Sequence, residues 1–330
     1  MPGLNDIIGN THIVEHFTKA INSDKISHAY IINGEKGMGK KTVAKAFAMT
    51  LLCENDGDRP CMKCRSCIQA MSDNNPDIIY IKPDKQTTLS IDHIRETLVG
   101  DISIKPYSYS HKVYIVDDAQ LMNIQAQNAI LKTIEEPPEY AVILLLTTNV
   151  DGFLQTVRSR CINLDMQTLK KTEIKHYLMN KCEVVDYQAE VSANMSGGNL
   201  GKAIEFAVSS EFSEMLSEVI SLLKYIKDMQ AYEVVLAVKR ASEYKFRVED
   251  YLDLMMLWFR DVLFYKVTLD ANRLIFKDEI LMIKKHAENS SYNGVERILK
   301  AIEKAKLRLN ANVNFDITIE MMFLTIRENI

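Results

Sequence analysis

Short, largely apolar runs alternate with longer amphipathic stretches through the first half of the chain. Residues 29–32, 78–81, 113–116, 142–146 and 161–164 are runs of this kind. Uninterrupted apolar runs fit strands covered on both faces, which is the situation of a parallel sheet whose strands are linked by helices. Between the third and fourth runs, Ala126, Ile130, Leu131 and Ile134 fall on one helical face, and Pro137-Pro138 ends that helix. After residue 165 the strand signal stops. Residues 166–208 read as a few short helices interrupted by the turn Ser196-Gly197-Gly198-Asn199.

Further on, the helical period is plain. Phe212, Met215, Leu216, Val219, Ile220 and Leu223 form one stripe; Val248, Tyr251, Leu252, Met255, Phe259 and Val262 form another; Val295, Ile298, Leu299 and Ile302 mark a third. The pattern predicts an α/β core over 1–165, a small helical domain over 166–208 and an all-α bundle over 209–330. No internal repeat or low-complexity segment interrupts it.

Composition narrows the classes. With 330 residues, 47% hydrophobic and 25% charged, the chain can build two or three buried cores, and disorder is excluded as the default. The longest apolar run, 141–146, falls far short of the roughly 20 residues of a membrane span, and the opening residues lack a basic-then-apolar targeting pattern. A soluble, cytoplasmic protein without a membrane partner is expected. Forty basic against forty-four acidic side chains leave a net charge of −4. There is no global attraction to nucleic acid, so DNA contact has to be local or shared with partners, running to phosphates in a salt-sensitive way.

The first apolar run leads into Gly34-Glu35-Lys36-Gly37-Met38-Gly39-Lys40-Lys41-Thr42, with a helix expected over 43–52. Glycines let backbone N–H groups wrap round phosphate oxygens, the helix N-terminus adds its dipole, and Lys40 adds a point charge. This reads as a phosphate loop for ATP or ADP. The residue after the loop lysine should carry a hydroxyl for Mg²⁺. Here it is Lys41, and Thr42 is rotated by a further ~100° around the helix. Nucleotide binding is expected with poor hydrolysis and disfavoured Mg²⁺. The third run ends in Asp117-Asp118. In an active phosphate-loop ATPase the first acid serves the metal and the next, normally Glu, polarises water; Asp118 is one methylene short.

Cys53, Cys61, Cys64 and Cys67 form a C-x7-C-x2-C-x2-C array, four of the six cysteines. Four thiolates complete a tetrahedral zinc site with no open position, so a structural Zn²⁺ is expected, pinning an insertion at 53–67. An iron–sulfur cluster also takes four thiolates, but no redox companion motif accompanies them. A DNA-reading finger lacks a convincing recognition helix. Cys161 and Cys182 stand apart and read as small buried hydrophobes.

Ile7-Ile8-Gly9-Asn10, Ser27-His28-Ala29-Tyr30, the Gly34 to Thr42 loop, the cysteine module, Leu131-Lys132-Thr133-Ile134-Glu135-Glu136-Pro137-Pro138 and Ser159-Arg160-Cys161 follow one another in a recognisable order. In this the chain resembles the bacterial clamp-loader subunits, AAA+ proteins of the DNA polymerase III holoenzyme. Within that family it is more similar to the delta-prime kind than to the ATP-hydrolysing tau/gamma kind, which usually extends further beyond the bundle. The resemblance implies an AAA+ core with a five-stranded parallel sheet, a lid over 166–208 and an oligomerising collar over 209–330. It implies tau/gamma and delta subunits as partners in a ring, with the sliding clamp and primed DNA engaged through the complex. It places an arginine finger at Arg160, acting in trans on a neighbour's ATP, and a phosphate sensor at Thr147-Thr148-Asn149, with Thr148 as the sensing group. Where active members carry a second sensing arginine, this sequence has Gly201.

Lys41, Asp118 and Gly201 each weaken hydrolysis in cis, while Arg160 is kept. The expected function is a stator that helps load the clamp in DNA replication and completes a neighbour's ATPase site. The alternatives are an active tau/gamma-like motor and a stand-alone phosphate-loop kinase, the latter giving no reason for the collar-like helices or Ser159-Arg160-Cys161.

Overall fold

The computed structural model describes residues 3–55, 57, 59–83 and 88–330. The first half contains α1 (Thr11–Asn22), β1 (Ala29–Asn33), α2 (Lys40–Leu51), α3 (Arg65–Met71), β2 (Ile78–Ile81), α4 (Ile91–Ile94), β3 (Lys112–Val116), α5 (Ile124–Glu135), β4 (Ala141–Thr147), α6 (Gln155–Arg158) and β5 (Ile162–Asp165). The second half is helical: α7 (Lys171–Lys181), α8 (Asp186–Met195), α9 (Leu200–Val208), α10 (Ser210–Tyr225), α11 (Ala231–Glu243), α12 (Val248–Thr268), α13 (Ile280–Asn289), α14 (Tyr292–Asn310) and α15 (Phe315–Asn329).

All five strands pair in parallel in the order β2-β3-β4-β1-β5, the sheet the sequence implied. β1 lies between β4 and β5: Tyr30 sits opposite Leu144 on one side and Ile162 on the other. Alternation of side chains sends Tyr30 and Ile32 into one buried layer with Phe17 and Phe47, and Ala29 and Ile31 into the other with Ile130 and Ile134. Phe17 stacks on Phe47 at 4.2 Å between ring centroids, and Tyr30 meets both edge-on. Each such buried ring is worth about 1.5–3 kcal/mol in water exclusion.

Two boundaries differ from expectation with a physical cause. α2 starts at Lys40 rather than at 43, because Gly39, with φ +94°, makes the sharp entry and leaves Lys40 in the first helical turn. The fifth strand begins at Ile162, so Cys161 lies in the preceding turn. Caps fix other ends: Asn123 accepts from the Ala126 N–H at the start of α5, and Ser209 from that of Phe212 at the start of α10.

The chain gathers into two compact units, Met1–Leu169 with Asn199–Gly201, and Lys170–Gly198 with Lys202–Ile330. In the second, α12 runs through the interior, burying Tyr251, Leu252, Met255, Trp258, Phe259 and Val262. Phe212, Met215, Leu216, Val219 and Leu223 are buried as the first helical stripe predicts, and Val295, Ile298 and Ile302 as the third predicts. Asp261, fully buried on α12, accepts hydrogen bonds from the N–H groups of Ile275 (2.6 Å) and Phe276 (2.9 Å). Among the described residues no helix is long and apolar enough to cross a membrane.

Candidate functional site

The turn between β1 and α2 has the backbone of a phosphate cradle. Gly37 and Gly39 take φ +91° and +94°, values that side-chain-bearing residues rarely adopt. At Gly34 a Cβ would lie 2.8 Å from that of Met166. The Lys40 ammonium donates to the carbonyls of Gly34 (2.6 Å) and Glu35 (3.0 Å), arched over the loop it serves. Burial lowers the pKa of Lys40, against the opposing charges of Asp118, Asp117 and Glu35. Thr42 sits in the first turn of α2 and is exposed.

Lys41 occupies the position where a metal-binding hydroxyl is required, and its Nζ lies 3.6 Å from Asp117 Oδ2. The acid expected to serve Mg²⁺ therefore faces an ammonium. A dication brought to that carboxylate meets like charge at a few ångströms, a repulsion of several kcal/mol even at surface-like dielectric. The residues present do not fit Mg²⁺.

Asp118 takes a left-handed backbone conformation, φ +47°, and its carboxylate accepts from the Gln120 amide at 3.0 Å. The carbonyl oxygen of that amide accepts from the Thr148 N–H at 3.2 Å. Gln120 thus bridges the second acid to the exposed Thr148. Sequence reasoning missed Gln120, because nothing in a one-residue amide two positions beyond an acidic pair announces a contact 28 residues away.

The turn before α9 also meets this loop. Asn199 Nδ2 donates to the Lys36 carbonyl at 2.8 Å, and the Gly201 N–H to the Gly37 carbonyl at 3.0 Å. A Cβ at Gly201 would stand 2.5 Å from that carbonyl oxygen. Any side chain at Gly201 therefore displaces this backbone contact.

Arg160, exposed in the turn between α6 and β5, places Nη2 2.9 Å from Glu135 Oε1, and Nη1 donates to the Thr156 carbonyl at 2.9 Å. Glu135, the last residue of α5, belongs to the Leu131–Pro138 motif, which assigned it no role of its own. Cys161 and Cys182, expected to be buried, are each only half-buried; desolvation pushes the Cys161 thiol up to about 12 and Cys182 upward also.

Cys53, Cys61, Cys64 and Cys67 converge, with all four sulfurs within 4.8 Å of one another. A zinc tetrahedron with ~2.3 Å bonds needs sulfurs about 3.8 Å apart, so a small contraction closes the set. Cys61, Cys64 and Cys67 each send their N–H to the sulfur of the preceding cysteine, at 3.4, 3.3 and 3.4 Å. The N–H groups of Lys63 and Cys64 draw the Cys61 thiol down to about 6, while burial pushes Cys53 and Cys67 upward. A shared dication would hold all four as thiolates. Four cysteines that can hold a metal ion are thus in place.

Residues 9–170 match the family described as DNA polymerase III, delta subunit, and residues 215–328 that described as DNA polymerase III, delta subunit, C terminal. The chain is 32% identical over 313 residues to DNA polymerase III subunit delta' of Bacillus subtilis (strain 168), covering 94% of this chain and 93% of that one. It is 27% identical over 341 residues to DNA polymerase III subunit gamma of Buchnera aphidicola subsp. Schizaphis graminum (strain Sg), covering 96% and 93%. To DNA polymerase III subunit tau of Bacillus subtilis (strain 168) it is 31% identical over 284 residues, which are 79% of this chain and 50% of that one.

Proposed function

Because this chain belongs to the family of DNA polymerase III clamp-loader subunits, we propose that it acts in DNA replication as a delta-prime-like stator. It helps load the sliding clamp onto primed DNA, presents Arg160 to the ATP of a neighbouring subunit, and hydrolyses little or none itself. A guanidinium at a neighbour's γ-phosphate neutralises charge that spreads over the phosphoryl oxygens in the transition state, an effect of roughly 10³–10⁵ in rate where it has been isolated.

The observation that carries the reading is the Lys41 ammonium 3.6 Å from Asp117, at the place where a motor needs a hydroxyl and a metal. Asp118 in place of Glu and Gly201 in place of Arg support it from two further positions. The phosphate loop holds ATP or ADP as a structural ligand. The cysteine cluster holds a structural zinc that ties 53–67 to the end of α2. Residues 166–208 serve as lid, and the 209–330 bundle as the collar that joins tau/gamma and delta subunits in a ring.

A second reading, an ATP-hydrolysing tau/gamma-like motor, draws on the similarity to the gamma and tau chains. Phosphate release by the purified full chain with Mg²⁺ and ATP separates the two. The stator reading expects no release above that of Lys40→Ala. Turnover abolished by Lys40→Ala makes the chain a motor.

A further inference from the structure

The phosphate loop has the backbone of an anion cradle but carries Lys41 where a metal-binding hydroxyl would stand. Gly37 and Gly39 hold the positive φ angles of a phosphate cradle, Lys40 arches over the loop, and residues 34–42 carry three lysines against one glutamate. The Lys41 ammonium stands at the hydroxyl position and pairs with Asp117, the acid that serves Mg²⁺ in an active phosphate-loop ATPase. Both members of that pair are partly open to solvent, 49% and 31% exposed, so an arriving anion can reach the ammonium without unfolding its surroundings.

We infer that this loop binds the di- or triphosphate of a nucleotide free of metal, with the Lys41 ammonium supplying the positive charge that Mg²⁺ supplies in an active ATPase. The inference rests on the loop being a nucleotide site, as proposed above. In it Lys40 and the N-terminus of α2 hold the terminal phosphates, while Lys41 screens them from Asp117. Metal-bound nucleotide, carrying its own dication, is the poorer ligand because it brings like charge to Lys41.

The test uses fluorescent ADP and unlabelled ATP titrated against the full chain in excess EDTA and in excess Mg²⁺. The expected result is binding in EDTA at least as tight as in Mg²⁺, lost in Lys40→Ala. Lys41→Thr, which restores the hydroxyl, is expected to reverse the preference and bind at least about tenfold tighter with Mg²⁺ than without. Binding by the parent chain that requires Mg²⁺ overturns the inference and leaves the nucleotide site standing. No binding under either condition, in protein whose circular dichroism is native, overturns both.

Discussion

Arg160 is folded back onto its own chain by Glu135, with 2.9 Å between Nη2 and the carboxylate, while the Thr156 carbonyl holds Nη1. Glu135 ends α5, where a carboxylate lies at the negative pole of the helix and needs a cation nearby. Both side chains are about two-fifths exposed, at 40% and 44%, so the pair is worth no more than about 1 kcal/mol. Such a hold orients the guanidinium at the surface yet is weak enough to give way to the neighbour's triphosphate proposed as its target.

Glu135→Gln tests that balance. It should leave thermal stability within about 1 kcal/mol of the parent. In a reconstituted loader it should preserve turnover by the neighbouring ATPase and lower the ATP concentration needed for half-maximal rate, since one anion no longer competes for Arg160. A fall in maximal rate as large as that of Arg160→Ala would mean that Glu135 aims the arginine instead.

Metal analysis of protein purified without chelator should return one zinc per chain. Cys64→Ser should lose it and lower the melting temperature by at least about 5 °C, because the thiolate cluster replaces apolar packing in this insertion. Full stability without metal would remove the structural role.

Gly201→Ala puts a methyl group against the Gly37 carbonyl. Alanine in a helix gains up to about 1 kcal/mol over glycine, but the overlap should cost about 1–3 kcal/mol. Urea unfolding is expected to show net destabilisation, and a stabilised variant would show that the contact is dispensable.

The pH dependence of the helical unit should carry the mark of His286. This buried imidazole accepts from Trp258 Nε1 at 3.2 Å through Nδ1, a bond only the neutral ring makes. Burial first, then the charges of Lys285 and Lys227, lower its pKa from 6.5 to about 4. The unfolded chain therefore binds the proton more readily, so the stabilisation is complete above pH 6.5 and is lost as pH falls toward about 4. The loss amounts to roughly 3 kcal/mol. His286→Gln should flatten urea midpoints over this window, and an unchanged slope would contradict the assignment.

Much of this architecture is legible because local physics determines it. Two-sided burial makes apolar runs of the strands at 78–81 and 142–146, and the glycines at 37 and 39 occur where the backbone must turn left-handed. The cysteine spacing likewise announces its cluster. What escaped are contacts between groups distant in the chain: Gln120 reaching Thr148, Asn199 and Gly201 reaching the Lys36 and Gly37 carbonyls, and Glu135 reaching Arg160. Glu135, Asn199 and Gly201 lie in patterns the sequence displays, but residue type does not announce which distant group each meets, and Gln120 lies in no pattern at all. Helices α11, α13 and α15 were also unmarked in the sequence. Of these, α11 buries Val234, Ala237, Val238 and Ala241, a stripe half made of alanine that gives little periodic contrast.

The most direct test of the account is clamp- and DNA-stimulated ATP hydrolysis by a reconstituted loader containing either this chain or its Arg160→Ala variant, with the isolated chain as baseline. The account predicts a silent isolated chain and a fall in loader turnover of at least about tenfold in the variant, with assembly intact by gel filtration. Turnover by the isolated chain, together with a loader indifferent to Arg160→Ala, would contradict it.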